Sequence, residues 1–76
     1  MKLKVSVGDQ LRIRIKSDSI YCEDGFSYHN VECIANRGSK KYLYDHAGGK
    51  DIFMNYAEIK EAIVDDDNRP IGDQFS

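Results

Sequence analysis

Two cysteines and two histidines are the side chains in this chain that a zinc ion would prefer, namely Cys22, His29, Cys33 and His46. Structural zinc sites usually bring their ligands in close pairs, and the sequence contains no C-x-x-C or H-x-x-x-H pair. The spacing therefore predicts neither a metal site nor a bound cofactor.

Nucleophilic catalysis would need a cysteine or a serine beside His29 or His46, in a cleft that excludes water and offers donors to an oxyanion. The sequence has no G-x-S-x-G elbow, and 76 residues leave little structure to support such a site. The segment Gly48-Gly49-Lys50 lacks the longer glycine-spaced run of a phosphate-binding loop and indicates a tight turn instead. We predict that the protein is not an enzyme and has no catalytic residue.

Basic side chains alternate with apolar ones near the beginning of the chain. They are Lys2, Lys4, Arg12, Arg14 and Lys16. If the strands that carry them pair, these cations share one sheet face and form a surface suited to phosphate groups. Rings for stacking bases would come from Tyr28, Tyr42 and Tyr44. The same cations also have a structural explanation, because charged strand residues discourage aggregation at sheet edges.

Acidic side chains concentrate toward the other end of the chain, at Glu58, Glu61, Asp65, Asp66 and Asp67. We expect them to contact a basic patch on a protein partner, since complementary charge speeds association and selects the partner. Five tyrosines and three phenylalanines also favour a protein interface. A net charge of −2 gives no electrostatic reason to bind nucleic acid or an anionic membrane. A protein partner therefore ranks ahead of nucleic acid, and no membrane contact is expected.

Strict alternation of apolar and basic residues over Leu11–Lys16 predicts a β-strand with one exposed face. A shorter alternation over residues 3–7 predicts a strand before it, and residues 17–25 are expected to form a long loop. A further strand is predicted over residues 26–35. In that strand Val31, Cys33 and Ala35 would share one face.

The glycine pair predicts a hairpin between residues 41–45 and 51–54. Asn55, followed three residues later by Glu58, matches a capping box and predicts the start of a helix. Residues 56–64 then form either a helix reaching about Asp65, or one helical turn followed by a last strand. These elements predict a mainly β fold, either a small antiparallel β-barrel or a strongly bent sheet. Their order is SH3-like, with a short helix or helical turn near residues 56–64.

The chain is expected to form one domain over residues 1–65. Residues 66–76 should be a polar tail that is mobile unless Ile71 or Phe75 packs on the body. No apolar run is long enough for a signal peptide or a membrane span, which predicts a cytoplasmic protein with reduced cysteines.

We therefore predict a non-enzymatic protein-binding module, a small regulator or inhibitor that blocks a larger host complex such as a nuclease. Small acidic proteins of phages and mobile elements are broadly similar in size and charge. The alternative is a single-stranded nucleic-acid-binding β-barrel that uses the basic strand face and the tyrosines. A homodimer is compatible with both functions, because a barrel this small exposes strand edges that can pair.

Overall fold

The computed structural model describes residues 5–38 and 40–74 of the chain. The elements, in chain order, are β1 (Gln10–Lys16), β2 (Phe26–Arg37), β3 (Lys40–Asp45), β4 (Lys50–Asn55), α1 (Tyr56–Ala62), β5 (Ile63–Val64) and a 3-10 turn (Gly72–Gln74). Within these described ranges, no helix has the length and apolar composition needed to cross a membrane.

The five strands form one antiparallel sheet in the order β4-β3-β2-β1-β5. This confirms the predicted mainly β fold. The predicted barrel is not found, because no pairing joins the edge strands β4 and β5 in the described part of the chain. The physical reason is the length of β5, whose two residues pair with β1 before the chain turns away.

Helix α1 packs on one face of the sheet, which we call the core face. The buried apolar cluster on this side consists of Val5, Ile13, Val31, Cys33, Leu43, Ile59, Ala62 and Ile63. Alternation along the strands sends every second side chain into this cluster. The helix contributes Ile59 and Ala62, so it covers the core face and leaves the opposite face of the sheet open.

The hairpin and the helix start that short sequence patterns predicted are both present in the structure. The hairpin of β3 and β4 lies at the predicted position. The capping box is also formed: the Asn55 side chain accepts from the Glu58 backbone at 2.8 Å, and the Glu58 carboxylate accepts from the Asn55 backbone at 3.1 Å. The helix ends at Ala62 and continues directly into β5, so the two readings of residues 56–64 are each correct in part.

Two predictions about strands were wrong. In the strand predicted over residues 3–7, the described part, Val5 to Val7, is not a strand, because the chain turns there: the Asp9 carboxylate accepts from the Ser6 backbone at 2.8 Å. Leu3 and Lys4 lie outside the described residues. In β2 the pairing with β3 shifts between Cys33 and Ala35, where a β-bulge interrupts the alternation. Ala35 therefore lies opposite Tyr42, on the open face of the sheet.

The chain after β5 returns to the body through a tight turn. The Asp65 carboxylate accepts from the Arg69 backbone at 3.0 Å, and the Ile71 backbone donates to the Ile63 carbonyl at 3.2 Å. Ile71 packs against the buried cluster. Of the two residues that could attach the tail to the body, Ile71 does so, and Phe75 lies outside the described residues.

Candidate functional site

The open face of the sheet, opposite α1, is called the outer face. By strand register its side chains are Gln10, Arg12, Arg14, Lys16, Phe26, Tyr28, Asn30, Glu32, Ala35, Arg37, Lys40, Tyr42, Tyr44, Asp51, Phe53 and Asn55. Five of these are cations and two are carboxylates, so the local formal charge is five minus two, or +3, although the chain carries −2. The strand residues of the outer face are therefore net positive within an acidic protein, and the carboxylates of Asp24, which binds Tyr28, and Asp66, beside Arg12, lie at the border of this face.

Three of the cations lie over aromatic rings of the outer face. The pairs are Arg12 with Tyr28 at 5.7 Å, Arg14 with Phe26 at 4.4 Å, and Lys40 with Phe53 at 5.7 Å from the ring centroids. The attraction between a cation and the face of a ring contributes about 0.5 to 1 kcal/mol at exposed sites. Each pair holds a positive charge beside a flat apolar surface.

No cation of the outer face forms an ion pair with a carboxylate among the described residues, although Glu58 and Glu61 share a depression with Arg14 and Lys16. Both ion pairs among the described residues use histidines, His29 with Asp45 and His46 with Glu32, each at 2.9 Å. Arg12 is held instead by neutral side chains: its Nε donates to the Asn68 side chain at 2.6 Å, and its Nη1 donates to Asn30 at 3.1 Å. Because no close ion pair among the described residues holds these cations, their charged groups can contact an anionic ligand. The other two predicted cations, Lys2 and Lys4, lie outside the described residues.

Aromatic side chains form the part of the outer face that lies on β3 and β4. Tyr42 and Phe53 are opposite each other, with ring centroids 5.0 Å apart and planes tilted by 59°. Phe53 is 52% exposed and Ile34, at the bulge, is 47% exposed. Together they border an open depression of about 770 Å³, whose lining also includes Arg37 and Asp51. An apolar depression with a few polar groups is the usual form of a ligand site.

The predicted acidic residues border two different depressions. Glu58 and Glu61, on α1, line one beside Arg14 and Lys16, whereas Asp66 lines another beside Arg12. Two of the five carboxylates also accept hydrogen bonds from backbone N–H groups. They are Glu58 in the capping box and Asp65 in the turn after β5.

A chain of hydrogen bonds on the core face joins a serine, a histidine and an aspartate. Ser27 Oγ lies 2.8 Å from His29 Nε2, and His29 Nδ1 lies 2.9 Å from the Asp45 carboxylate. These distances match the nucleophile, base and orienting acid of a serine hydrolase. However, Ser27 Oγ also lies 3.3 Å from the Ile15 carbonyl oxygen. That oxygen is an acceptor, whereas stabilising an oxyanion beside the serine would require donors.

The same chain of hydrogen bonds has a structural explanation at the β3–β4 turn. The buried Asp45 carboxylate accepts from the Ala47 and Gly48 backbones, each at 3.1 Å, and from His29. The Gly48 hydrogen bond, followed by the His29 hydrogen bond, holds the pKa of Asp45 below its usual range. Asp45 therefore anchors the turn to β2 through His29.

The four side chains considered for zinc do not form a cluster. His29 and His46 pair with different carboxylates, and Cys33 is buried in the core, where desolvation raises the pKa of its thiol. Cys22 lies in the loop between β1 and β2. Across residues 5–38 and 40–74 there is no group of three or more potential ligands placed to hold a metal ion.

The loop between β1 and β2 presents two large apolar side chains to solvent. Ile20 and Tyr21 are each 88% exposed. The loop is nevertheless ordered by hydrogen bonds, because the Asp24 carboxylate accepts from the Phe26 backbone at 3.1 Å and from the Tyr28 hydroxyl. The bond from Tyr28, and then that from Phe26, lower the pKa of Asp24, and the same bond to Asp24 raises the pKa of Tyr28.

The sequence identified part of the outer face and missed the rest. Arg12, Arg14 and Tyr42 were expected together, and the sheet brings them onto one surface. Phe26 and Phe53 were missed, although the alternation within β2 and β4 could have revealed them. Comparison with known proteins gives no matching family model, no similar curated protein and no similar solved structure.

Proposed function

We propose that the protein binds single-stranded nucleic acid on the outer face of its sheet and performs no catalysis. The observation that carries this proposal is the set of three cation–aromatic pairs on that face. Proteins that bind single strands combine a basic surface for the backbone with aromatic side chains on which bases stack. The local charge of +3, from five cations and two carboxylates, also supports an anionic ligand.

A single strand suits this surface better than a duplex. The rings of Tyr42 and Phe53 can contribute only if a base offers its flat face, and a duplex keeps those faces stacked inside. The outer face is also a sheet surface, and α1, the α-helix of the described residues, lies on the core face, so it could not carry this surface into a major groove. Stacking is tolerant of sequence, so the proposed binding does not depend on one particular base at most positions.

The second candidate function is the protein-binding module, a small regulator or inhibitor of a larger complex. Its supporting observation is the ordered loop that exposes Ile20 and Tyr21, because exposed aromatic anchors are typical of interface hot spots. The carboxylates beside them are Asp18, Glu23 and Asp24. The further acidic contacts are those of the sequence analysis, Glu58, Glu61, Asp65, Asp66 and Asp67. A partner of this loop would offer an apolar pocket with a basic rim.

Two finer predictions also belong to this proposal. We propose that the element order is SH3-like, which is supported by β5 pairing beside β1 directly after a short helix. We also propose a cytoplasmic location, which is supported by Cys22 and Cys33 both being free thiols.

The test is fluorescence anisotropy with a labelled oligothymidine of about ten nucleotides, a length within the range of small single-strand-binding folds. Phe53→Ala should weaken binding roughly 5- to 150-fold, which corresponds to the loss of one stacked base. Arg14→Ala should weaken binding by removing a phosphate contact. Lys50→Ala is the matched control, because it removes one positive charge on the core-face side of β4.

Thermal unfolding of each variant verifies that the fold is intact. Failure of the wild-type protein to bind the oligothymidine would overturn the proposed function. A loss with Lys50→Ala as large as with Arg14→Ala would refute the assignment of binding to the outer face.

A further inference from the structure

The depression beside Phe53 contains Asp51, one of the two carboxylates that the strands place on the outer face. The other, Glu32, pairs with His46, whereas Asp51 is in no ion pair among the described residues. A carboxylate in this depression repels the phosphates of a bound strand. Because Asp51 lies beside two aromatic rings, it is placed to contact a base instead of a phosphate. We infer that this depression binds one guanine base of the single strand, with Asp51 accepting hydrogen bonds from the base edge. The inference rests on the proposed function and names the base that one part of the outer face selects.

The donor pattern of the bases favours guanine at Asp51. An ionised carboxylate only accepts hydrogen bonds, and it offers two oxygens. The Watson–Crick edge of a base in a single strand is free to meet it. Guanine alone presents two adjacent donors on that edge, N1–H and the N2 amino group. Adenine and cytosine present one donor beside an acceptor, and thymine or uracil presents one donor between two acceptors, so their acceptors would face the carboxylate.

A second side chain of the depression complements another edge of the same base. Arg37 lines the depression together with Asp51, and the ion pairs of the described residues do not include it. A guanidinium binds the O6 and N7 atoms of guanine through two parallel hydrogen bonds. Guanine is therefore the base whose two edges match a carboxylate and a guanidinium at once.

The apolar lining of the depression provides the stacking surface for this base. Phe53 is half exposed and lies 5.0 Å from the Tyr42 ring, measured between centroids. Ile34 projects beside them because the β-bulge displaces it from the regular alternation of β2. Lys40 Nζ lies 5.7 Å from the centroid of the Phe53 ring, so a base stacked on Phe53 would displace this side chain, which could then contact a phosphate of the strand.

The experiment uses the full chain and a labelled oligothymidine of about ten nucleotides, in which the central base is thymine, guanine, hypoxanthine, adenine or cytosine. Hypoxanthine is the matched probe, because it is guanine without the N2 amino group. The guanine strand should bind roughly 5- to 150-fold more tightly than the thymine strand, and hypoxanthine should lose most of this gain. The same five strands made as RNA show whether the depression binds guanine more tightly in DNA or in RNA.

Asp51→Asn should abolish the preference for guanine and leave the affinity for plain oligothymidine equal or higher, because a negative charge is removed. The matched control is Asp18→Asn, an exposed carboxylate in the loop between β1 and β2, which should change neither the preference for guanine nor the affinity for oligothymidine. If all five strands bind equally and Asp51→Asn has no effect, the guanine site is refuted while the proposed function stands. If no strand binds the wild-type protein, the proposed function and the guanine site are both refuted.

Discussion

The affinity for a single strand should fall steeply as salt is raised, and the outer face sets the size of this effect. It offers five cations, Arg12, Arg14, Lys16, Arg37 and Lys40. If Arg37 is occupied by a base, four remain for phosphates. Each phosphate contact on a single strand changes the slope of log affinity against log salt by about −0.7. Four or five contacts give a slope of about −3, which corresponds to a loss of roughly 50- to 130-fold between about 50 mM and 200 mM salt.

The perturbation that tests this calculation is Arg14→Ala. Arg14 makes no ion pair among the described residues, so its removal should take away one phosphate contact and make the slope about 0.7 less negative. The assay is anisotropy with labelled oligothymidine across a salt series, with Lys50→Ala as the charge-matched control. A wild-type slope near zero, or a slope that Arg14→Ala leaves unchanged, would refute the reasoning.

Three further predictions concern the scaffold that holds the outer face. Ile59→Ala should lower the free energy of unfolding by about 2 to 5 kcal/mol in urea denaturation, because Ile59 is fully buried and attaches α1 to the sheet; a change as small as that of an exposed site would contradict the packing described. Gly72→Ala should lower the melting temperature, since its Cβ would lie 1.7 Å from the Lys60 carbonyl oxygen, and an unchanged melting temperature would refute that close approach. Asp45 has a depressed pKa when folded, so its contribution to stability is present above the unfolded value near about 3.9 and is lost as pH falls through the folded value. Melting temperatures measured across acidic pH should therefore drop below about pH 4 and drop less steeply in Asp45→Asn, and identical profiles for the two proteins would contradict this.

Elements specified by neighbouring residues could be predicted from the sequence. The hairpin turn follows from a glycine pair in which Gly49 adopts a positive φ of 64°, a conformation that favours glycine. The helix start follows from the reciprocal hydrogen bonds of Asn55 and Glu58, which lie three positions apart. Both signals are local and depend little on the remainder of the fold.

Features that depend on strand pairing could not be predicted in the same way. The β-bulge after Cys33 exists because the pairing of β2 with β3 shifts there, and nothing in the local alternation marks the position. Closure into a barrel depends on how far β5 extends, which is set by the turn at Asp65. The chain of hydrogen bonds through His29 likewise needs β2 and β3 in register before Asp45 can reach it.

The outer face combines features that the local sequence predicts with features that depend on strand pairing. Arg12 and Arg14 were predicted to share a face because alternation within one strand is a local property. Their association with Tyr28 and Phe26 depends on the register of β1 with β2, and the nearness of Phe53 to Tyr42 depends on the register of β3 with β4. The balance of charge along the chain also pointed away from nucleic acid, because the net value of −2 hides a basic face.

The most direct test of the central proposal is to map the binding surface with amide correlation spectra of the labelled protein during a titration with oligothymidine. Binding on the outer face predicts the largest changes in β1 to β4 around Arg14, Tyr42 and Phe53, with little change in α1 around Ile59. Changes confined to α1 or to the loop around Ile20, or an unchanged spectrum at excess oligothymidine, would contradict the proposed function.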